Sequence, residues 1–198
     1  MTKLRNIFIT WTSRWIGKYL KLNFINKYNI YDISWKKECD LSNIENVKKF
    51  IFNLPDVKFD AIILNAWFWM FWKFEDFEYE EYEELINVNL LANIAIIKFL
   101  ENKILKNTKI IFIWSIIWKK FMKWAAIYQA SKFWLRWFAW WLKKEWKKVF
   151  IINPKIVDTD FHKKLNINHK RWKTSLNTIL SIINDILLWN EKRFEIDL

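Results

Sequence analysis

Tyr128 and Lys132 stand four residues apart in Tyr-Gln-Ala-Ser-Lys. On a helix, positions i and i+4 share a face, so the ammonium can lie beside the phenol. A nearby cation favours the phenolate and lowers a pKa that is about 10 in water. Tyr128 could then act as a general acid or base near neutral pH. Ser115 lies upstream, just after an apolar run. Its hydroxyl could hydrogen-bond a substrate oxygen and stabilise alkoxide charge as it develops. A Tyr-x-x-x-Lys pair alone is usually a plain surface pair, so its meaning rests on its surroundings.

A second pattern becomes chemical once glycine is read for tryptophan. The chain holds 16 Trp and a single Gly, Gly17. In Thr10-Trp11-Thr12-Ser13-Arg14-Trp15-Ile16-Gly17, glycine at 11 and 15 would make a strand-to-helix turn able to cradle a dinucleotide. The same exchange completes Asn65-Ala66-Trp67-Phe68-Trp69, Trp114-Ser115-Ile116-Ile117-Trp118 and Ser131-Lys132-Phe133-Trp134. Counting every Trp as Gly also brings glycine close to its usual share of about 7%. A Trp buries 150–250 Å², so 16 of them exceed what one small core absorbs. The reading adopted is that a codon meaning Gly in the source organism is rendered as Trp. The stop codon UGA is read as Trp in some genetic codes and as Gly in a few bacterial lineages. The alternative is a chain whose tryptophans are genuine. Indoles would then fill the pyrophosphate space, and Trp at positions needing positive φ would be strained.

The elements that must position these residues follow from the hydropathy pattern. Short apolar runs alternate with longer amphipathic stretches, the signature of βαβ units and a parallel sheet. Strands are predicted at 6–10, 28–34, 59–65, 109–113 and 149–153, with a last edge strand within 193–198. Helices are predicted at 16–27, 42–54, in two segments within 77–99, at 126–144 and at 175–188. Ser42 with Glu45 reads as a capping box. The whole chain, 1–198, reads as one domain without repeats or linkers.

Composition removes several function classes. One cysteine, Cys39, rules out an intramolecular disulfide and fits a reducing cytoplasm. Two histidines, His162 and His169, and no Cys pair speak against zinc, so no metal is expected. No run of 18 apolar residues suggests a membrane span, and the N-terminus lacks a signal-peptide pattern. The net charge of +12 invites a nucleic-acid reading. Lys, Asn, Ile and Phe abound throughout, however, which points to an AT-rich gene, and nucleic acid is not an expected partner.

With glycine read at the Trp sites, residues 3–161 resemble the short-chain dehydrogenase/reductase family. The resemblance implies a Rossmann-like, doubly wound parallel sheet flanked by helices in three α/β/α layers. It also implies NAD(P)-dependent hydride transfer between a nicotinamide and a small carbonyl or alcohol substrate. Thr10 to Gly17 matches Thr-Gly-x-x-x-Gly-x-Gly, which implies cofactor contacts from Thr10, Trp11, Ser13, Arg14, Trp15, Ile16 and Gly17. Arg14 stands where the family often pairs the 2′-phosphate of NADP. No acidic residue sits clearly at the end of the second strand, Asp32 being two residues early. NADP is therefore expected, with NAD possible. Asp40-Leu41 resembles the pair at the adenine ring, and Asn65-Ala66-Trp67 resembles Asn-Ala-Gly beside the cofactor. Asn89 matches the family's catalytic Asn, which bends a helix and holds a water in a proton relay.

Ser115 precedes Tyr128 by thirteen residues, the usual family spacing. Ser115, Tyr128, Lys132 and Asn89 are thus the implied catalytic set, with Lys132 also gripping the nicotinamide ribose. Residues 153–159 resemble Pro-Gly-x-Val-x-Thr, which implies cofactor contacts from Pro154, Val157 and Thr159, with Lys155 in place of the Gly. The basic segment 161–174 is shorter than the family's usual substrate lid. A homodimer or homotetramer, pairing the helices at 89–100 and 126–144, is implied by the resemblance alone. If the tryptophans are genuine, the reading that replaces the enzyme is a non-catalytic Rossmann-like binding or regulatory protein.

Overall fold

The central sheet is built from short apolar runs buried on both faces, as parallel strands covered by helices must be. The computed structural model describes residues 5–34, 36–68, 73–116, 123–145, 148–157 and 173–198. The strands are β1 (Arg5–Thr10), β2 (Tyr28–Ile33), β3 (Phe59–Leu64), β4 (Ile104–Ile113), β5 (Val149–Asn153), β6 (Ile156–Val157), β7 (Lys173–Thr174) and β8 (Glu195–Asp197). The helices are α1 (Trp15–Phe24), α2 (Ile44–Phe52), α3 (Tyr79–Ile86), α4 (Ala92–Phe99), α5 (Ala126–Glu145) and α6 (Leu176–Leu187). Six strands pair in the order β2-β1-β3-β4-β5-β8, all parallel. This is the expected doubly wound α/β sheet in three layers.

Alternation along each strand divides the core in two. Phe8, Ile62, Phe112 and Ile151 pack with Val47, Ile51, Ile96 and Leu135 on one face. Ile7, Ile9, Ile63, Ile111 and Ile152 pack with Leu20, Phe24, Ile179 and Ile183 on the other. The order reverses between β1 and β3: from β1 the chain winds outward to β2, and from β3 toward β8. In such sheets ligands bind beyond the carboxyl ends of the strands at that reversal. Thr10-Trp11 and Leu64-Asn65 occupy that point.

Several expected boundaries shift. Helix α2 starts at Ile44, capped by Asn43, whose side chain accepts from the Asn46 amide at 3.2 Å. The Ser42–Glu45 capping box does not form, because Asp40 Oδ1 accepts the Ser42 hydroxyl at 2.7 Å and its amide at 3.0 Å. Helix α1 stops at Phe24, and Ile25 to Lys27 turn into β2. Strand β4 begins at Ile104, earlier than its apolar core suggests. The Thr108 hydroxyl, accepting from Leu105 N at 2.7 Å and donating to Phe59 O at 2.6 Å, anchors that polar stretch to β3. The two-residue pairing of β6 with β7 was not anticipated.

The backbone singles out particular tryptophans. Among the described residues, the positive-φ positions outside glycine are Trp11 (58°), Trp15 (45°), Trp124 (62°) and Trp189 (67°). A left-handed conformation costs a residue with a Cβ roughly 1–2 kcal/mol, and glycine almost nothing. Trp124, Trp134, Trp137, Trp140, Trp141 and Trp189 also expose 40–65% of their surface, whereas among the described tryptophans Trp114 alone is buried. Of the ten described tryptophans, six are thus exposed, where an indole gains little, and four hold a backbone that a Cβ opposes. Trp124→Gly is accordingly expected to raise stability by about 1 kcal/mol through strain relief. For a chain of this size that is about 2–4 °C in Tm; a lowered Tm in thermal unfolding would contradict the strain argument.

Candidate active site

The turn after β1 is fastened before it reaches α1. The buried Thr10 hydroxyl oxygen accepts from the amides of Asn65 and Ala66, both at 2.9 Å. The Asn65 amide group donates to the carbonyls of Thr10 and Trp11, both at 3.3 Å. The amides of Trp11 and Thr12 donate to Ile33 O at the end of β2. Thr12 and Ser34 hydroxyls and the Lys21 ammonium all converge on Asp32 Oδ2. Burial alone would raise the Asp32 pKa, but these donors hold it below the usual carboxylate range.

This turn has the backbone of an anion cradle. A Cβ added to Gly17 would lie 1.9 Å from Trp11 O, so only glycine fits there. Helix α1 has no side-chain cap and no acidic residue in its first turn, leaving its terminal amides and dipole suited to a phosphate. Ser13 Oγ and Asn65 Oδ1 are buried without hydrogen-bond partners. The expected residues Thr10, Trp11, Ser13, Arg14, Trp15, Ile16, Gly17, Asn65, Ala66 and Trp67 therefore do gather at the sheet's reversal point. Three indoles lie over them. Trp11 and Trp15 are 6.3 Å apart, and Trp15 stacks on Trp67 at 6.0 Å. The backbone fits a dinucleotide; these three side chains do not.

Tyr128 and Lys132 lie on the buried face of α5, 5% and 2% exposed. The Lys132 Nζ is 5.4 Å from the centre of the Tyr128 ring. It also stands 4.8 Å above the Trp114 ring and 5.4 Å from that of Trp67. Asn89 sits inside a π-helical turn, Asn87–Leu91, that separates α3 from α4, the bend anticipated for it. Such turns turn the helix and re-aim side chains. Asn89 accepts from Phe68 N at 2.6 Å, and donates to Phe68 O at 2.7 Å and Ser131 Oγ at 3.1 Å. Ser131 in turn donates to Tyr128 O at 2.7 Å. Asn89 thereby ties the loop after β3 to the first turn of α5. Ser115 follows the carboxyl end of β4, between Trp114 N, bound to Ile152 O, and Ile116 N, bound to Pro154 O.

Electrostatics departs from expectation. Burial pushes the Tyr128 phenol up and the Lys132 ammonium down to about 7. The expected lowering of the phenol by the ammonium is absent, because ring-lined surroundings desolvate both groups. Lys132 should consequently make stability depend on pH. Its folded pKa lies below its unfolded value, so between pH 7 and 10.5 the unfolded chain holds a proton that the folded chain lacks. Stability must rise with pH across that window. Lys132→Met is expected to flatten the rise in denaturant titrations from pH 7 to 10. Part of it should persist, since burial also lowers Lys109, to about 8. An unchanged slope would mean that the Lys132 amine is hydrated in the fold.

The other expected residues are less closely gathered. Leu41 is buried in the core with Phe8 and Ile33. The Asp40 carboxylate serves Ser42 and stands 3.5 Å from Lys36. Pro154 and Val157 are buried beside β5, and Val157 pairs with Thr174. Lys155, where a glycine was expected, has no positive φ; its amide donates to Thr174 Oγ1 at 3.0 Å. Thr159, Trp69, Trp118 and the segment 161–172 with His162 and His169 lie outside the described residues.

Two groupings escaped sequence reasoning. The first is the Asp32 cluster, whose signal was an acid two residues too early for ribose. The second lies behind Pro154. Asn153, fully buried, donates to Glu195 at 2.8 Å and Asp197 at 3.0 Å, and Arg136 grips Glu195 with two nitrogens. It joins residues far apart in the chain, and no local pattern announces it.

A family model for short chain dehydrogenase matches residues 32–170. The chain belongs to the short-chain dehydrogenase family. Solved structures share its fold along nearly the whole length. A short chain dehydrogenase family protein from Francisella tularensis superposes with a TM-score of 0.83 at 18% identity, covering 99% of this chain and 97% of that one. An alcohol dehydrogenase from the archaeon Thermococcus sibiricus, complexed with 5-hydroxy-NADP, gives 0.79 at 19% identity, covering 99% and 96%. A short chain dehydrogenase from Burkholderia cenocepacia in complex with NADP gives 0.80 at 18% identity, covering 98% and 87%. Comparison with curated proteins gives no match. Among the described residues of this family member, no helix is long and apolar enough to cross a membrane.

Proposed function

We propose that this short-chain dehydrogenase is an NADP-dependent oxidoreductase acting on a small carbonyl or alcohol compound, with glycine in place of Trp11, Trp15, Trp67 and Trp114 in the functional protein. The observation that carries the reading is the buried Tyr128–Lys132 pair on α5, tied to Asn89 at the carboxyl edge of the sheet. The glycine part is supported by the left-handed backbone at Trp11 and Trp15 and by the indoles stacked over an otherwise suitable cradle.

With glycine at those four positions, Thr10, Ser13, Arg14, Ile16, Gly17, Asn65 and Ala66 would hold the pyrophosphate and its flanking riboses. Asp40 and Leu41 would border the adenine, and Pro154, Val157 and Thr159 the nicotinamide. When bound, the nicotinamide supplies or accepts the hydride. Tyr128 Oη gives its proton to the substrate oxygen in reduction and takes it back in oxidation. Ser115 donates a hydrogen bond to the same oxygen. Loss of the rings at 67 and 114 uncovers the Lys132 ammonium, which can then favour the phenolate and hydrogen-bond the ribose. Asn89 positions the first turn of α5 through Ser131.

The preference for NADP follows from Asp32. Its acceptor oxygen is filled by Thr12, Ser34 and Lys21, so it is poorly placed to read a ribose 2′-hydroxyl, while the neighbouring Arg14 suits a 2′-phosphate. Relatives crystallised with NADP or 5-hydroxy-NADP support the same choice. Pairing of copies through α4 and α5 belongs to the proposal; α5 exposes Phe133. The test is cofactor oxidation, followed optically, by the chain carrying the four glycines. Turnover of carbonyl compounds with NADPH in preference to NADH is expected. No turnover with either cofactor, in a folded protein that binds them, would defeat the reading.

A further inference from the structure

A cavity of about 400 Å³ opens against Tyr128 between α3 and the start of α5. That volume lies in the range of sites for small organic ligands. Its lining omits Trp11, Trp15 and Trp67 but includes Trp124; glycine at 124 would widen the cavity and leave its Phe74, Tyr82 and Leu85 walls in place. We infer that it takes an aromatic or fused-ring carbonyl compound bearing a carboxylate. The inference deepens the oxidoreductase reading and rests on it for the reactive end of the ligand, not for its binding.

The walls select a flat ring. Phe74 and Tyr82 stack at 5.3 Å with planes 12° apart, and Phe77 meets Tyr82 edge-on at 5.7 Å. The Tyr82 hydroxyl is already spent on Phe74 O, so these residues offer ring faces rather than donors. Phe74 is 62% exposed at the lip, an apolar surface that a stacked ligand would cover. Leu85 and Tyr128 form the buried floor. A ring lying on Phe74 would direct its far end toward that floor.

The rim selects charge. Lys73 is 3.8 Å from Glu75, and the two offset each other. Asp76 and Glu81 also bear on the Tyr82 wall, which leaves the Lys123 side as the place for an anion. Lys123 also lines the cavity, and among the described residues no carboxylate stands within ion-pair distance of it. An anionic group at the outer end of a ring system would meet that ammonium while the carbonyl points inward. In reduction Tyr128 would give its proton to the carbonyl oxygen, with bound NADPH supplying the hydride to the carbonyl carbon.

Calorimetric titration of the cofactor-free chain with 6-formyl-2-naphthoate and with 2-naphthaldehyde tests this directly. Both should bind. Phe74→Ala should weaken both, and Lys123→Gln should weaken only the carboxylate, by up to about fivefold, the size of an exposed ion pair. Both side chains are exposed, so neither change should unfold the protein. No binding of the naphthoate, or equal binding by all three proteins, overturns the inference. Selective binding without NADPH turnover in the glycine-bearing chain supports this ligand class and defeats the oxidoreductase reading instead. Turnover there of acetaldehyde in preference to both ring compounds overturns the ligand class alone.

Discussion

NADPH titrated into the chain as it stands is expected to show no saturable binding, and glycine at 11, 15 and 67 is expected to create it. The cradle's backbone is present: Gly17 admits no Cβ against Trp11 O, Thr10 holds the neighbouring loop, and α1 begins with an uncapped turn. What opposes a pyrophosphate is the stack of Trp11, Trp15 and Trp67 over those amides. A hydrogen bond to a charged group contributes about 1.5–3 kcal/mol. Losing two of them already costs about a hundredfold in affinity, and the steric conflict adds to that. Calorimetry or quenching of protein fluorescence on both forms decides the matter. Equal affinity would show that the indoles move aside at no cost, and the glycine argument would lose its functional half.

Tyr128→Phe, made in the chain bearing the four glycines, is expected to lower kcat by about 10²–10⁴, the range for loss of a positioned general acid or base. Only the phenol oxygen is removed. The ring keeps its place in the Leu85 cluster, Lys132 stays beside it, and the Asn89–Ser131 tie runs through the Tyr128 carbonyl rather than its side chain. Cofactor affinity should therefore stay nearly unchanged, and the loss should fall on kcat rather than on KM for the cofactor. Steady-state kinetics alongside cofactor titration separates the two. A variant with unaltered kcat would remove Tyr128 from the chemistry.

Much of this was legible from the residues, for identifiable reasons. The parallel sheet was readable because β1, β3 and β5 are apolar runs set between amphipathic helices. The Tyr128–Lys132 pair was readable because helical spacing alone puts the two on one face. The π-helical turn at Asn89 was reached only through the family resemblance, since Asn87-Val88-Asn89 has no local signal for an extra residue in a helix. Side-chain competition hid other features. Asp40 captures Ser42 and shifts the α2 cap to Asn43, and Asp32 gathers donors from β2, α1 and the turn. The pKa direction at Tyr128 was misjudged because sequence proximity conveys charge but not desolvation. The cavity beside Phe74 and Tyr82 depends on how α3 meets α5, a long-range contact that no spacing encodes.

The tryptophans bear most directly on the whole account. Each of the described left-handed residues is a Trp, and Trp also stands at the motif glycine positions 11, 15 and 67. Peptide mass mapping of the protein isolated from its native organism, covering residues 10–18 and 110–140, reads those positions without any functional assay. Glycine is predicted at 11, 15, 114, 118, 124, 134, 137 and 140. Tryptophan there would mean a filled cofactor cradle and a strained backbone in the working protein, and a non-catalytic relative of the family would replace the enzyme.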